Sequence, residues 1–187
     1  MTHLTQLAHV IERNRFLILD TETTGIDRRA QIVQIAMVDA AGRVLINSLV
    51  KPSCPIPPRV TAIHGISDAD VVGAPTWNDL WMLVKAISAY RDIVAYNADF
   101  DIRLIRQTFE QTGAGMSWPI FSRGMGEVVC AMRAYAEHYG QRGYNGYRWQ
   151  KLGNACMQQN IHIENAHSAL GDCLMTLALV KRIVSNG

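Results

Sequence analysis

The sequence predicts an α/β protein with a mixed central β-sheet and helices packed on it. Short apolar runs in the N-terminal half predict strands, and one tight connection pairs two of them. Amphipathic segments in the C-terminal half predict helices. The predicted sheet begins with a meander and the chain ends in helices, which argues against a doubly wound Rossmann fold. The length of 187 residues predicts a single domain over residues 1–187, since domains commonly run about 100–200 residues.

The N-terminal half is predicted to hold one short helix and three strands. Leucine and isoleucine at helical spacing predict the helix within the first fifteen residues. Phe16–Asp20 is an apolar run that ends in a carboxylate and predicts a buried strand. Ile32–Asp39 and Arg43–Val50 are predicted to form an antiparallel hairpin across an Ala-Ala-Gly turn. Lys51–Arg59 is rich in proline, so it is predicted to be extended and irregular.

The rest of the chain is predicted to be mostly helical. Thr76 is a candidate N-cap of a helix with a tryptophan-rich apolar face. Asp92–Tyr96 predicts a fourth strand, and Asp99–Thr112 a helix that ends at Gly113. Three further helices are predicted, over Glu127–Tyr139, Gln150–Gln159 and Ser168–Val184.

Composition excludes several classes of protein. With 49% hydrophobic and 18% charged residues, the chain is not of a disordered or low-complexity type. The four cysteines form no C-x-x-C pair, which argues against a zinc site and favours reduced thiols. No apolar run is long enough to span a membrane, and the N-terminus lacks the pattern of a signal peptide. A cytoplasmic protein without a membrane partner is therefore expected.

Two carboxylates follow the first predicted strand. Asp20 and Glu22 are two positions apart, so an extended backbone places both on one side, next to Gly25. Carboxylates held close together repel each other unless cations occupy the site. A D-x-E pair alone is more often a solvated turn, but here it follows directly on a buried strand.

Three further polar residues stand near the starts of predicted helices. Asp101 follows the strand at 92–96 and lies in the first turn of the next helix, where it either complements the helix dipole or serves a site. Asp99 is better explained as a helix cap. His167 and Asp172 converge only if His167 precedes the last helix and Asp172 lies in its second turn, because five residues of regular helix leave them on different faces.

Together these residues are typical of a two-metal hydrolytic site. All-oxygen ligation favours Mg²⁺ or Mn²⁺ over Zn²⁺. Two such ions form the clamp that supports in-line attack of water on a phosphodiester, and a histidine near neutrality can take the water's proton. The sequence therefore predicts two Mg²⁺ or Mn²⁺ ions held by four carboxylates, with a histidine base beside them.

Three motifs in order resemble the DnaQ-like, DEDDh-type 3′-to-5′ exonucleases. They are DTETTG at 20–25, YNADFD at 96–101 and HSALGD at 167–172, and the resemblance covers about residues 16–184. It implies an RNase H-like fold and an enzyme that releases 5′-mononucleotides from single-stranded nucleic acid. The residue roles that it implies are metal binding by Asp20, Glu22, Asp101 and Asp172, catalysis by His167 as general base together with Glu22, and substrate binding by Thr23, Thr24, Gly25, His64 and Asn97.

Within that family, residues 31–66 and 129–132 are most similar to exodeoxyribonuclease X and to the proofreading epsilon subunits of DNA polymerase III. The chain ends at Gly187 with no polymerase-binding tail in view, which favours the former. Single-stranded DNA is the expected substrate, with RNA possible in the manner of oligoribonuclease or ribonuclease T. A catalytically inactive nucleic-acid-binding module and a polymerase accessory subunit are the alternatives. Either a monomer or a homodimer is compatible with the sequence.

Residues 140–151 form a segment rich in glycine, arginine and aromatic residues. Aromatic rings interleaved with cations suit a single strand, because rings stack on bases and cations pair with phosphates. The alternative is a solvated loop that Trp149 anchors to the core. The sequence leaves these two interpretations open.

Overall fold

A five-stranded mixed sheet forms the centre of the protein. In a computed structural model, residues 1–113, 118–144, 146–162 and 167–185 are described, except for the side chains of 120 and 121. The strands are β1 (Phe16–Thr23), β2 (Ile32–Asp39), β3 (Val44–Leu49), β4 (Asp92–Ala95) and β5 (Val128–Cys130). They lie in the order β3-β2-β1-β4-β5. The first three strands are antiparallel neighbours, whereas β4 runs parallel to β1 and β5 parallel to β4. The predicted α/β class with a mixed sheet is confirmed.

Helices cover both faces of this sheet. They are α1 (His3–Arg13), α2 (Pro58–His64), α3 (Asp68–Val71), α4 (Trp77–Ser88), α5 (Ala98–Thr112), α6 (Trp118–Ser122), α7 (Ala131–Tyr139), α8 (Leu152–Gln158) and α9 (Ala169–Ser185). A two-stranded hairpin, β6 (Arg142–Gly143) and β7 (Gly146–Tyr147), precedes α8. Among the described residues, no helix is both long and apolar enough to cross a bilayer.

Side-chain alternation along β1 divides the core into two layers. Phe16 and Ile18 pack with residues of α1, α7 and α9 on one face. Leu17 and Leu19 pack with residues of α4 and α5 on the other. Because this alternation continues along the strand, each polar residue that follows is directed to a defined layer.

β1 is longer than its neighbour β4, which creates a notch in the sheet. The parallel pairing of the two strands ends at Leu19 and Ala95. β1 nevertheless continues through Thr23, paired only with β2 on its other side. The chain after β4 turns into α5, so the polar end of β1 faces an open edge of the sheet.

Two segments differ from the sequence prediction. The helix predicted over Glu127–Tyr139 starts only at Ala131, because Val128–Cys130 forms strand β5 beside β4. The irregular segment predicted over Lys51–Arg59 ends earlier, since Pro58 is the first residue of α2. Proline suits the first turn of a helix, because the backbone N–H that it lacks would have no intrahelical partner there.

The short strand β5 depends on a close backbone approach at Gly126. A Cβ atom at this position would lie 2.8 Å from the Arg91 carbonyl oxygen. We predict that Gly126→Ala lowers the free energy of unfolding by about 1–3 kcal/mol, because backbone atoms must shift. Gly73→Ala is the matched control, since nothing lies within 4 Å of its added Cβ. Urea denaturation of both variants checks this, and equal stabilities would contradict it.

Candidate active site

Three carboxylates from two elements meet at the notch beside the end of β1. Asp20 and Glu22 continue the face of β1 that carries Ile18, which is the face covered by α9. Asp172 comes from the first turn of α9. One carboxylate oxygen from each of these three residues lies within 4.8 Å of the other two. The sequence motifs at 20–25 and 167–172, far apart in the chain, are thus brought together.

Asp101 approaches the same site from the opposite layer. It lies in the first turn of α5 and is only 3% exposed. Its Oδ1 atom accepts hydrogen bonds from the Thr21 backbone N–H (3.1 Å) and the Thr21 hydroxyl (2.8 Å). Thr21 is directed to this layer because it stands between Asp20 and Glu22 on the strand. Its N–H is available to Asp101 because β4 has already ended at this level.

His167 lies two residues before the start of α9 and is held by Asp172. Its backbone is left-handed, with φ of 66°, and its N–H donates to Asp172 Oδ1 at 3.3 Å. The convergence expected from the sequence is therefore present, although Asp172 lies in the first turn of α9 rather than the second. The left-handed residue reverses the chain direction just before the helix, which brings residues five positions apart into contact.

These five residues line one small cavity of about 160 Å³. Its other lining residues are Thr21, Tyr96, Asn97, Phe100 and Leu152. Sequence reasoning missed Tyr96, Phe100 and Leu152 because their apolar or aromatic character gives no chemical signal. Tyr96 and Phe100 lie within the motif at 96–101, and Leu152 is the first residue of α8. For Tyr96 and Phe100, position within the motif is the sequence signal that could have indicated a place in the site.

Burial and mutual repulsion raise the pKa values of the clustered carboxyls. Burial is the main cause of the rise in the pKa of Glu22 to about 7, and the charges of Asp172 and Asp101 add to it. Burial also raises the pKa of Asp101 to about 7, against the two hydrogen bonds from Thr21. For Asp20 burial and the neighbouring carboxylates raise the pKa well above its ordinary value. Among the described residues, the negative charges of Asp20, Glu22 and Asp101 therefore lack a compensating positive charge.

This donor set fits a hard divalent cation. Ligands on opposite sides of a Mg²⁺ ion lie about 4.2 Å apart, so oxygen atoms within 4.8 Å of one another need only small adjustments. Within the described ranges, none of the four carboxylates has a Lys or Arg nitrogen within 4 Å. Carboxylate ligation favours Mg²⁺ or Mn²⁺, and a cation would relieve the repulsion that raises these pKa values.

Asn97 lines the cavity, but the other residues expected to bind substrate do not. Thr23 and Thr24 are buried, and their polar groups serve the turn after β1. The Thr23 hydroxyl donates to the Gly25 carbonyl oxygen at 2.7 Å, and the Thr24 hydroxyl accepts from the Gln31 N–H. Their contact with substrate stays a prediction.

His64 joins the end of α2 to the end of β1. Its Nδ1 atom accepts from the Ile66 N–H at 3.0 Å, which leaves the proton on Nε2, 3.2 Å from the Thr23 carbonyl oxygen. Burial lowers the pKa of His64, consistent with this neutral form. His64 is the C-terminal residue of α2, and Gly65 caps that helix. His64 therefore has a structural role, and a role toward substrate stays a prediction.

The segment 140–151 divides into two parts, with residue 145 outside the described residues. Its first part forms the hairpin β6–β7, where the Arg142 guanidinium lies 4.5 Å from the centre of the Tyr147 ring. Its last part leads into α8. Trp149 is 70% exposed, so the interpretation of this residue as an anchor in the core is wrong.

A mixed sheet that presents clustered carboxylates and a histidine at one edge is typical of phosphodiester-cleaving hydrolases. Residues 17–180 match the model of the RNase T family, whose members are described as exonucleases. The chain therefore belongs to this DnaQ-like exonuclease family, and it is a nuclease.

Two curated relatives are similar over most of the chain. An uncharacterized exonuclease, CP81, of Escherichia phage 186 is 42% identical over 176 residues, which cover 91% of this chain and 89% of that protein. Exodeoxyribonuclease 10 of Escherichia coli K12 is 31% identical over 174 residues, covering 90% of this chain and 68% of the relative.

Solved structures share the fold. Exonuclease X, in complex with 5′ overhanging duplex DNA, matches with a TM-score of 0.67 and 28% identity over 92% of both chains. Exonuclease I of E. coli, in complex with a dT13 oligonucleotide, matches with a TM-score of 0.73. At 19% identity, and with 40% of that chain covered, this second likeness concerns the RNase H-like fold alone.

The raised carboxyl pKa values predict how the metal-free protein responds to pH. A carboxyl group whose folded pKa is raised binds more protons in the folded state, so stability falls as pH rises from about 4.3 to about 7. In EDTA at pH 7.5, Glu22→Gln is expected to raise the free energy of unfolding by at least about 1 kcal/mol, because it removes one uncompensated charge. Thermal melts in EDTA and in Mg²⁺ measure the effect.

The control for this prediction is Glu110→Gln, which alters an exposed carboxylate paired with Arg106. This change is expected to shift stability by less than about 0.5 kcal/mol in either buffer. The Mg²⁺-induced rise in melting temperature is expected to shrink in Glu22→Gln only. A Glu22→Gln protein that is less stable than wild type in EDTA would show that the cluster is not under electrostatic strain.

Proposed function

We propose that this protein is a divalent-metal-dependent 3′-to-5′ exonuclease that releases 5′-mononucleotides from single-stranded DNA. The observation that carries the proposal is the convergence of Asp20, Glu22 and Asp172 at one point, with oxygen atoms within 4.8 Å of one another. Asp101 and His167 line the same cavity. These are the four metal-binding carboxylates and the general base that the resemblance to the DnaQ-like family implies.

The carboxylates would hold two cations, in practice Mg²⁺ or Mn²⁺. The carboxylate oxygens of Asp20, Glu22 and Asp172 lie close together. Asp101 approaches from the layer of α5, and the Thr21 hydroxyl donates a hydrogen bond to its Oδ1 atom. When bound, the cations lower the pKa of the attacking water and stabilise the charge on the departing 3′ oxygen. Because Thr21 fixes Asp101, the chain contributes ligands that need little reorganisation.

His167 is proposed to act as the general base. It is exposed at the cavity, so a ring nitrogen can accept a proton from water and pass it to solvent. The Asp172 carboxylate accepts the His167 backbone N–H, which couples the position of the base to that of a metal ligand. Asp172 is thereby proposed both to bind a cation and to position the general base.

The size of the site limits which part of the substrate it can hold. A cavity of about 160 Å³ lies below the range of about 300–1,000 Å³ typical of small-molecule pockets, so it fits the scissile phosphate and part of a sugar. The rest of the nucleic acid must then extend into neighbouring clefts. The relatives support DNA, since exodeoxyribonuclease 10 is named for it and exonuclease X is seen with overhanging duplex DNA.

The terminal nucleotide is proposed to lie against the turn after β1. Thr23, Thr24 and Gly25 provide backbone there, and His64 holds that backbone through the Thr23 carbonyl. Asn97, exposed at the cavity, provides an amide that can contact the nucleotide. His64 is accordingly proposed to act through Thr23 rather than through a free ring nitrogen.

The activity is tested with 5′-labelled single-stranded DNA and RNA of one sequence, in Mg²⁺ and in EDTA. The expected result is a ladder that shortens from the 3′ end in Mg²⁺ only, faster on DNA than on RNA. A faster RNA ladder would assign the protein to the exoribonucleases. Binding without shortening of either strand would instead favour an inactive nucleic-acid-binding module.

Two substitutions separate metal binding from proton transfer. Asp172→Asn is expected to reduce kcat by about 10³-fold or more and to remove most of the Mg²⁺-induced thermal stabilisation, because it removes a charged ligand. His167→Gln is expected to reduce kcat by about 10²–10⁴-fold but to keep that stabilisation, because the base is not a ligand.

Glu110→Gln again provides the matched control, with unchanged activity expected. Full metal-dependent activity in Asp172→Asn would remove this residue from the ligand set. A His167→Gln protein with wild-type kcat would remove His167 from the mechanism.

A further inference from the structure

A larger cleft opens directly beside the carboxylate cavity. It has a volume of about 570 Å³. The two spaces share five lining residues, namely Tyr96, Asn97, Leu152, His167 and Asp172. A polymer whose scissile phosphate lies at the carboxylates can therefore continue into this cleft without leaving the protein surface. The cleft does not include Thr23–Gly25 or His64 among its described lining residues, so it lies apart from the turn proposed for the terminal nucleotide.

The chemistry of the cleft suits a nucleobase and a phosphate. Trp149 is 70% exposed and Met157 60% exposed, and both line it. A flat indole and a polarizable thioether are surfaces on which bases of any sequence can stack. Lys151, also exposed in the lining, provides a cation for the backbone.

Hydrogen bonds fix the backbone between these side chains. The Tyr96 hydroxyl donates to the Gln150 carbonyl oxygen at 2.7 Å. The Gln150 amide group donates to the Gln141 side chain at 3.1 Å and accepts from Gln158 at 3.4 Å. Trp149 and Lys151 flank this residue on either side. Since the Gln150 backbone is bonded to Tyr96 and its side chain to Gln158 of α8, the residue between Trp149 and Lys151 is held in place, which favours a preorganised surface.

The neighbouring aromatic residues are not placed in the same way. Tyr144 is fully exposed on the hairpin and is not among the described residues that line the cleft. The Tyr147 ring is covered by Arg142. Of the aromatic residues in the segment 140–151, Trp149 is the one that lines the cleft next to the carboxylates.

We propose that Trp149 stacks on the base of the nucleotide immediately upstream of the 3′-terminal nucleotide, with Met157 in the same cleft and Lys151 paired with the adjacent phosphate. This inference rests on the proposed exonuclease function and deepens it. The cleft is then a subsite for the retained strand. Such a subsite distinguishes an oligonucleotide from a lone nucleotide and accepts any base. Stacking on an exposed base also favours single strands over a paired end.

The test compares wild type with Trp149→Ala on three substrates. The first is the p-nitrophenyl ester of thymidine 5′-monophosphate, which has no upstream base. The second is a short dT oligonucleotide, and the third is the same oligonucleotide with an abasic residue next to the 3′ end. Trp149→Ala is expected to lower kcat/KM on the dT oligonucleotide by about 10- to 100-fold, mainly through KM. Hydrolysis of the ester is expected to change by less than about twofold.

The abasic substrate identifies the contact itself. Wild type is expected to lose about the same factor when the base is removed as when Trp149 is removed, and the variant is expected to be insensitive to the missing base. Trp149→Phe is expected to recover most of the loss, because a smaller ring still stacks. Equal activity of Trp149→Ala and wild type on the dT oligonucleotide would overturn the proposal, and so would an equal loss on the ester.

Tyr144→Ala serves as the matched control, because it removes an exposed ring from the same segment outside the cleft. It is expected to behave as wild type on all three substrates. Fluorescence anisotropy with a labelled dT oligonucleotide in EDTA gives a readout that needs no turnover. If wild type hydrolyses none of the three substrates, the proposed function fails. In that case, weaker oligonucleotide binding by Trp149→Ala than by Tyr144→Ala still supports the subsite. Equal oligonucleotide binding by the two variants overturns it.

Discussion

Repulsion among carboxylates gathered at one edge of the sheet is the constraint on which the site depends. Burial and like charges raise the pKa values of Asp20, Glu22 and Asp101, and within the described residues no basic side chain pairs with them. An arrangement of this kind costs folding free energy in the absence of cations. Hard divalent cations bound among these carboxylates would relieve the repulsion.

The difference in length between β1 and β4 makes this arrangement possible. Beyond the end of β4, the Thr21 N–H has no partner on that strand and donates to Asp101 instead. The hydrogen bonding of β1 on this side therefore continues into the site. Alternation along β1 directs Asp20 and Glu22 toward α9 and Thr21 toward α5. The core layers and the acidic cluster are therefore ordered by one and the same strand.

Tyr96 connects the acidic cavity with the cleft beside it. It follows β4, lines both spaces, and donates its hydroxyl to the carbonyl of Gln150 between Trp149 and Lys151. A nuclease that acts on a polymer end must bind the strand that it keeps as well as the nucleotide that it releases. The small cavity suits the scissile phosphate and the larger cleft suits the retained strand, and the two spaces adjoin through shared lining residues.

The sequence by itself determined the sheet strands with strong apolar patterns and the motifs at 20–25, 96–101 and 167–172. These are local properties, since alternation and helix caps act over a few residues. Tertiary structure alone decided the rest. The three residues of β5 are too few for a pattern and pair only because β4 lies beside them. The contact of His167 with Asp172 required a left-handed residue before α9, and the choice of Trp149 over Tyr144 depended on which ring the fold places at the cleft. Such contacts either join residues that are distant in the chain or depend on a reversal of the backbone, and no local sequence pattern encodes them.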